Sequence, residues 1–210
     1  MDKEKALKII ERLKVVYPDA KSALHFADPF ELLIATILSA QCTDKRVNEV
    51  TNRLFEKLSK PSDYLNFTQE DMEQEIRSCG FYHNKAKNIL GTCKMLEDKF
   101  SGQVPQNRED LMKLPGVGRK TANVVLSNAF HIPAIGVDTH VFRVSRRLGL
   151  SDGKNPVQVE KDLMDILPEY LWSISHHLLI FQGRRICHSR KPQCEACPVK
   201  QWCDYYLTNS

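Results

Sequence analysis

Apolar positions along most of the chain recur at helical spacing. Ala6, Leu7, Ile10, Leu13, Val16 and Tyr17 form one such stripe, and Pro18 ends it. From Pro29 to Ala40 the residues are apolar almost all round, which predicts a buried central helix. Thr43 or Asp44 can cap a following helix that runs to about Leu58, ahead of Pro61. Glu70–Arg77 and Arg108–Leu114 predict short helices, and Tyr82–Phe100 a long amphipathic one. Further helices are expected at Arg119–Phe130, Thr139–Leu148, Pro156–Ile166 and Glu169–Ile186. No stretch alternates with strand period, and no internal repeat or long linker interrupts the pattern. The fold class that follows is all-α.

Composition narrows the class further. The 210 residues are 42% hydrophobic and 27% charged, ordinary for a globular chain and far from disordered or collagen-like compositions. That length suffices for one large domain or two small ones with cores of their own. The longest clean apolar stretch, Leu32 to Ala40, is too short to span a bilayer. The charged, periodic segment Met1 to Lys14 is unlike a secretory signal. A cytoplasmic protein with no membrane partner is expected.

The net charge of +4 is unevenly spread. Residues 1–113 carry 18 basic and 18 acidic side chains, residues 114–191 carry 11 and 6, and residues 192–210 carry 1 and 2. A local basic excess favours a polyanionic partner, although basic runs are more often solvated helix faces.

Four of the seven cysteines crowd the C-terminal end: Cys187, Cys194, Cys197 and Cys203, spaced C-x6-C-x2-C-x5-C. Disulfides do not suit a chain with no sign of export. Four thiolates suit tetrahedral zinc, but zinc sites usually show two tight C-x2-C pairs and here only Cys194 and Cys197 form one. An iron–sulfur cluster also takes four thiolates and tolerates wider intervals. Spacing favours iron–sulfur and leaves zinc open. Arg184, Arg185, Arg190 and Lys191 either offset the charge of such a cluster or reach a phosphate backbone. Cys42, Cys79 and Cys93 lie in apolar or amphipathic helical contexts and read as core thiols.

Leu114-Pro115-Gly116-Val117-Gly118-Arg119-Lys120-Thr121-Ala122 joins two expected helices. Two glycines one residue apart permit a tight hairpin with positive φ. The N–H groups at the start of the second helix make a natural phosphate site. The segment is not a P-loop, because Arg119 stands where that motif needs glycine. Lys120, in the first turn of the second helix, sits at a positive helix end that favours loss of its proton. A neutral lysine is a nucleophile; the plainer reading is a phosphate contact. Asp138, ahead of Thr139-His140-Val141, is a helix N-cap by position and can also stabilise a developing cation. Arg143, Arg146 and Arg147 share a helical neighbourhood that is either a solvated face or a backbone-contacting patch. His140 either orients Asp138 or packs, and packing is the simpler role.

Taken together, the residues resemble the endonuclease III family of DNA glycosylase/lyases. The resemblance rests on the helix–hairpin–helix segment Leu114–Ala122, on Val137-Asp138-Thr139-His140, on the four cysteines and on Leu38-Ser39-Ala40-Gln41, and it covers nearly the whole chain. It implies a [4Fe–4S] cluster on Cys187, Cys194, Cys197 and Cys203. It also implies two helical domains flanking a DNA-binding cleft. One would be a helical barrel over residues 22–132 with the helix–hairpin–helix, the other residues 1–21 plus 133–210 with the cluster. Lys120 would then face Asp138, attack the sugar and form a Schiff base. The substrate implied is double-stranded DNA holding an oxidised pyrimidine or an abasic site, with the base flipped out. Gln41 and Phe81 match the residues that fill the vacated space; leucine is common where Phe81 stands. Gly116, Gly118, Arg119, Arg143, Arg190 and Lys191 are the expected DNA contacts. A mismatch-specific glycosylase without lyase activity is disfavoured by Lys120 and by the chain's end just after Cys203. A DNA-binding module without catalysis would leave a lysine facing a carboxylate unexplained, and a dedicated electron carrier would have no use for the hairpin. The expected state is a monomer acting at the nucleoid, with the cluster mainly structural.

Overall fold

The computed structural model describes residues 2–209. Among them there is no strand, and twelve α-helices account for the fold: α1 (Lys3–Val16), α2 (Pro29–Ser39), α3 (Asp44–Lys57), α4 (Pro61–Tyr64), α5 (Gln69–Ile76), α6 (Tyr82–Phe100), α7 (Arg108–Leu111), α8 (Arg119–Ala129), α9 (Thr139–Leu148), α10 (Pro156–Ile166), α11 (Trp172–Arg185) and α12 (Asp204–Asn209). Among the described residues no helix is long and apolar enough to cross a membrane. The chain divides into two compact units, Ser22–Ile132 and a second made of residues 2–21 with 133–209.

In the first unit the apolar α2 is the central element. Leu32, Leu33, Ile34 and Leu38 are fully buried, and α3, α6 and α8 pack around it. Asp28 caps its start by accepting from Glu31 N at 2.9 Å, and Pro29 supplies the preset φ of a first helical residue. Each such leucine contributes about 1.5–3 kcal/mol by leaving water. Tyr64 closes one end of this core, edge-on to Phe30 with centroids 5.4 Å apart.

In the second unit α9 and α11 pack side by side and α1 lies against α11. Ile9, Ile10, Leu13, Val141, Val144, Leu163 and Leu178 form the shared core. The α9–α11 crossing is close because Gly183 has no side chain: a Cβ there would stand 2.9 Å from His140 Nδ1 and 3.1 Å from Val144 Cγ2.

Four elements differ from the expected pattern, the first being the helix expected over Arg108–Leu114, which ends at Leu111. Pro61–Tyr64 is helical, a single turn too short to show a period. It is held by Asp63 Oδ2, which accepts from Ser59 N at 2.9 Å and Lys60 N at 3.1 Å. Asp204–Asn209 is also helical and was not anticipated. The helix expected over Glu169–Ile186 begins as a 3₁₀ turn, Glu169–Leu171. There Leu171 N donates to Pro168 O at 2.9 Å, and the Trp172 indole reaches back to Leu167 O at 2.9 Å, so α11 starts only at Trp172.

Candidate functional site

The Gly-rich hairpin between α7 and α8 is built on two buried anchors, Leu114 and Val117, with Val117 N donating to Leu114 O at 3.1 Å. Thr92 Oγ1 on α6 donates to Pro115 O at 2.8 Å and pins the turn. The two glycines differ in kind. Gly116 has φ +77°, and a Cβ there would meet Asn88 at 2.9 Å, so its glycine is required by the fold. Gly118 has an ordinary φ of −92° and nothing lies within 4 Å of where its Cβ would be. Nothing inside the protein calls for glycine there, whereas an outside group approaching the backbone would. Gly118 is also the N-cap of α8 and brings no capping side chain. Arg119 and Lys120 follow as the first two residues of α8, both half-buried. Lys120 thus sits in the first turn of an uncapped helix, at its positive end.

Asp138 caps α9 in the other unit. Its Oδ1 accepts from Val141 N at 2.8 Å, and its backbone is extended between the buried Val137 and the helix. A carboxylate has two oxygens, so a cap through Oδ1 is compatible with a second role at Oδ2. Gly136 O, two residues earlier, pairs with the buried His176 ring. Burial pushes the His140 imidazole below its ordinary pKa, partly opposed by the Asp138 charge. His140 packs against Gly183, and its Nδ1 lies 3.2 Å from the Arg143 guanidinium.

Arg143, an expected DNA contact, is engaged within the protein. Its guanidinium donates to Cys187 O at 3.1 and 3.0 Å, to Gly183 O at 3.1 Å and to Thr139 O at 3.3 Å. These bonds tie α9 to the end of α11. One turn further on, Arg147 donates to His188 O at 2.6 Å and to Ser189 O at 3.0 Å. Arg185, read from sequence as a cluster or phosphate partner, instead pairs with Asp19 at 3.3 Å and stacks over Tyr17 and Phe181. Arg190 and Lys191 are exposed on the cysteine loop, as a DNA contact requires.

The structure brings Gln41 and Phe81 to adjoining loops of the first unit. Both are exposed and both have left-handed backbone, φ 51° and 59°. A Cβ on Gly80 would lie 3.5 Å from Gln41 O. Beneath them the buried Lys85 Nζ donates to Leu38 O at 2.8 Å, at the end of α2. Burial lowers the pKa of this lysine. Sequence patterning reads Lys85 as one more solvated position on an amphipathic helix, so its buried bond was not legible there.

Cys187, Cys194, Cys197 and Cys203 line one cavity. Two 3₁₀ turns, Cys194–Ala196 and Lys200–Trp202, aim the last three thiols inward. Gln182 Nε2 donates to Cys197 Sγ at 3.2 Å, and Arg147 Nη1 lies 3.5 Å from Cys187 Sγ. Tyr17 Oη donates to Gln182 Oε1 at 2.7 Å, which fixes the amide with its N–H side toward the sulfur. Burial, with the Cys197 charge, pushes Tyr17 up to about 12, so its hydroxyl stays a donor. Gln182 and Tyr17 carried no sequence signal of this role. Among the described residues no three His, Cys, Asp or Glu side chains converge on a single ion. One zinc would need four sulfurs at about 2.3 Å from one point. Thiols spread around a cavity, with N–H donors on the sulfurs, suit a larger iron–sulfur cluster.

Residues 34–169 match the model of the HhH-GPD superfamily of base excision DNA repair proteins. Residues 187–203 match the iron–sulfur binding domain of endonuclease III. The chain belongs to the endonuclease III family. It is 50% identical over 195 residues to the endonuclease III of Bacillus subtilis (strain 168), spanning 92% of this chain and 89% of that one. Its identity to the Escherichia coli (strain K12) enzyme is 45% over 205 residues, spanning 98% and 97%. A solved structure described as a trapped endonuclease III–DNA covalent intermediate superposes with a TM-score of 0.94 at 52% identity, covering 99% of this chain and 98% of that one. A thermostable thymine-DNA glycosylase shares the fold at a TM-score of 0.88 and 24% identity, covering 98% of each chain. As a member of the endonuclease III family, the chain is a base-excision repair enzyme, a DNA glycosylase and abasic-site lyase, and its cofactor is a [4Fe–4S] cluster.

Proposed function

We propose that this chain excises oxidised pyrimidines from double-stranded DNA and nicks the strand at the abasic site, with Lys120 as nucleophile and Asp138 as its acid–base partner. The observation that carries the reading is Lys120 in the first turn of α8, behind an N-cap glycine that the fold does not use. A phosphate on the hairpin N–H groups of Gly116 and Gly118, with Arg119 beside it, would hold the strand while the damaged nucleotide swings out. Gln41 and Phe81 would fill the space it leaves, and Arg190 and Lys191 would meet further phosphates.

The lysine amine forms a bond to sugar C1′ as the bond from C1′ to the base breaks, and the base departs with the electron pair and takes up a proton. Loss of the amine proton and ring opening leave a Schiff base. Removal of a C2′ proton then expels the 3′ phosphate. Asp138 carries the negative charge that opposes the cationic sugar and can take up a proton at Oδ2 while Oδ1 keeps the cap. Cys187, Cys194, Cys197 and Cys203 would hold the cluster, which would cross-link the loop that carries them. The enzyme acts as a monomer in the cytoplasm, at the nucleoid. The endonuclease III structure described as a trapped covalent intermediate with DNA supports the covalent step here.

Borohydride trapping on a duplex with one oxidised thymine tests the reading. A covalent adduct from the native chain and none from Lys120→Ala places the nucleophile. Base release with no adduct from either means a glycosylase that uses water. Binding with neither reaction means a module without catalysis.

A further inference from the structure

Cys42 and Cys79 take no part in the cluster. Each adjoins one of the two exposed left-handed residues: Cys42 follows Gln41, and Cys79 precedes Gly80-Phe81. The pattern along the chain presents them as separate core thiols, yet the fold joins them. The Cys79 thiol lies beside the Cys42 thiol, and the close approach of Gly80 to Gln41 O shows the same loops touching through the backbone. Both are free thiols; Cys79 is buried and Cys42 half-buried, so an oxidant from solvent meets Cys42 first. Burial, with the neighbouring Cys42 thiol, pushes the Cys79 thiol up to about 11, opposed in part by the Lys85 ammonium and the Arg46 guanidinium, so Cys79 is held as the protonated, second thiol of the pair.

From this juxtaposition we infer that Cys42 and Cys79 are a peroxide-responsive dithiol whose disulfide clamps the Gln41 loop to the Phe81 loop and arrests incision. The arrest rests on the proposed role of Gln41 and Phe81 at the extruded base; formation of the bridge does not. In the first step the Cys42 thiolate attacks hydrogen peroxide. An S–O bond forms, the O–O bond breaks, and the departing oxygen leaves as water. In the second step the Cys79 sulfur gives up its proton and attacks the Cys42 sulfenic acid. The S–S bond forms and a second water leaves. Two thiols and one peroxide thus become one disulfide and two waters. The sulfurs must close to about 2.0 Å, which draws the two loops together. Displacements on the order of 1 Å at residues that position a substrate are enough to slow a reaction severely.

The test treats the cluster-loaded enzyme with a small excess of hydrogen peroxide, caps remaining thiols with N-ethylmaleimide and maps tryptic peptides. The expected product joins residues 22–45 to residues 78–85, is lighter by two hydrogens than the reduced pair, and disappears with dithiothreitol. Incision of a duplex with one oxidised thymine should fall with formation of that product and return on reduction, while the cluster's visible absorbance persists. Cys42→Ala and Cys79→Ala should each keep incision under peroxide; having both guards against one failing to fold. Cys42 oxidised to the sulfenic acid, with Cys79 still alkylated, would overturn the bridge. A complete bridge with full incision would overturn the arrest. Full incision by both Gln41→Ala and Phe81→Ala would overturn the wedge role, and the peptide map would still decide the bridge.

Discussion

Arg143 binds the main-chain oxygen of Cys187 twice, through Nε at 3.1 Å and Nη2 at 3.0 Å. The helix that Asp138 caps is thereby tied to the residue that opens the cysteine loop. Arg143→Ala leaves carbonyls of Cys187 and Gly183 without a charged donor, at a cost of roughly 1.5–3 kcal/mol. The expected outcome is a lower urea midpoint and faster loss of iron, with an unchanged salt dependence of DNA binding. A shallower salt slope with normal iron content would return Arg143 to the DNA backbone.

Asp138 holds two roles that substitution can separate. Asparagine caps a helix about as well as aspartate, so Asp138→Asn should keep stability near the native value, whereas Asp138→Ala should lose about 1 kcal/mol. Both remove the charge, and incision should drop on the order of 10²–10⁴-fold in each. Denaturation and single-turnover incision, measured side by side, give the comparison. Equal activity of Asp138→Asn and the native enzyme would leave the aspartate with only its cap.

The hairpin glycines predict opposite behaviour. Gly116→Ala forces a Cβ onto Asn88 at positive φ and should cost roughly 1–3 kcal/mol of stability. Gly118→Ala meets open space at an ordinary φ, so its stability should change by less than about 1 kcal/mol. Its DNA affinity should nevertheless fall about tenfold, the equivalent of one charge-assisted hydrogen bond at about 1.4 kcal/mol. Binding isotherms on duplexes with an abasic-site analogue, alongside melting curves, check the pair.

His177 is held neutral in the fold. Burial, helped by the neighbouring His176 ring with its centroid 4.9 Å away, pushes its pKa down to about 3. The folded pKa lies below the unfolded value of about 6.5, so the unfolded chain takes up the proton first. The stability it contributes is therefore complete above about pH 6.5 and drains away as pH falls toward 3. The slope approaches about 1.4 kcal/mol per pH unit for one proton. Urea midpoints of the native chain and His177→Phe between pH 7.5 and 5 should diverge on the acid side, with the variant the flatter of the two.

The local features of this protein follow from neighbouring residues alone. Helical periods, caps at Thr43 and Asp138, and the paired glycines before Lys120 are set by residues a few positions apart, so α2, α6, α8 and α9 were legible with their ends nearly in place. The four cysteines and the hairpin also announced their chemistry, because ligand spacing and turn conformation are local properties too. What the tertiary structure decided depends on partners far apart in the chain. Arg143 and Arg147 read as a basic helix face until the loop after α11 brings carbonyl oxygens to them. Arg185 looked like a charge for the cluster until Asp19, Tyr17 and Phe181 met it. Gln182 lay inside an apolar helix with no hint that Tyr17 would turn its amide toward Cys197. Lys85 and the Cys42–Cys79 pair carried no periodic signature of contact, since a period reports which face is buried and not what is buried against it. A charged or polar side chain takes its role from the donor or acceptor that faces it, and only packing at long sequence separation supplies that partner.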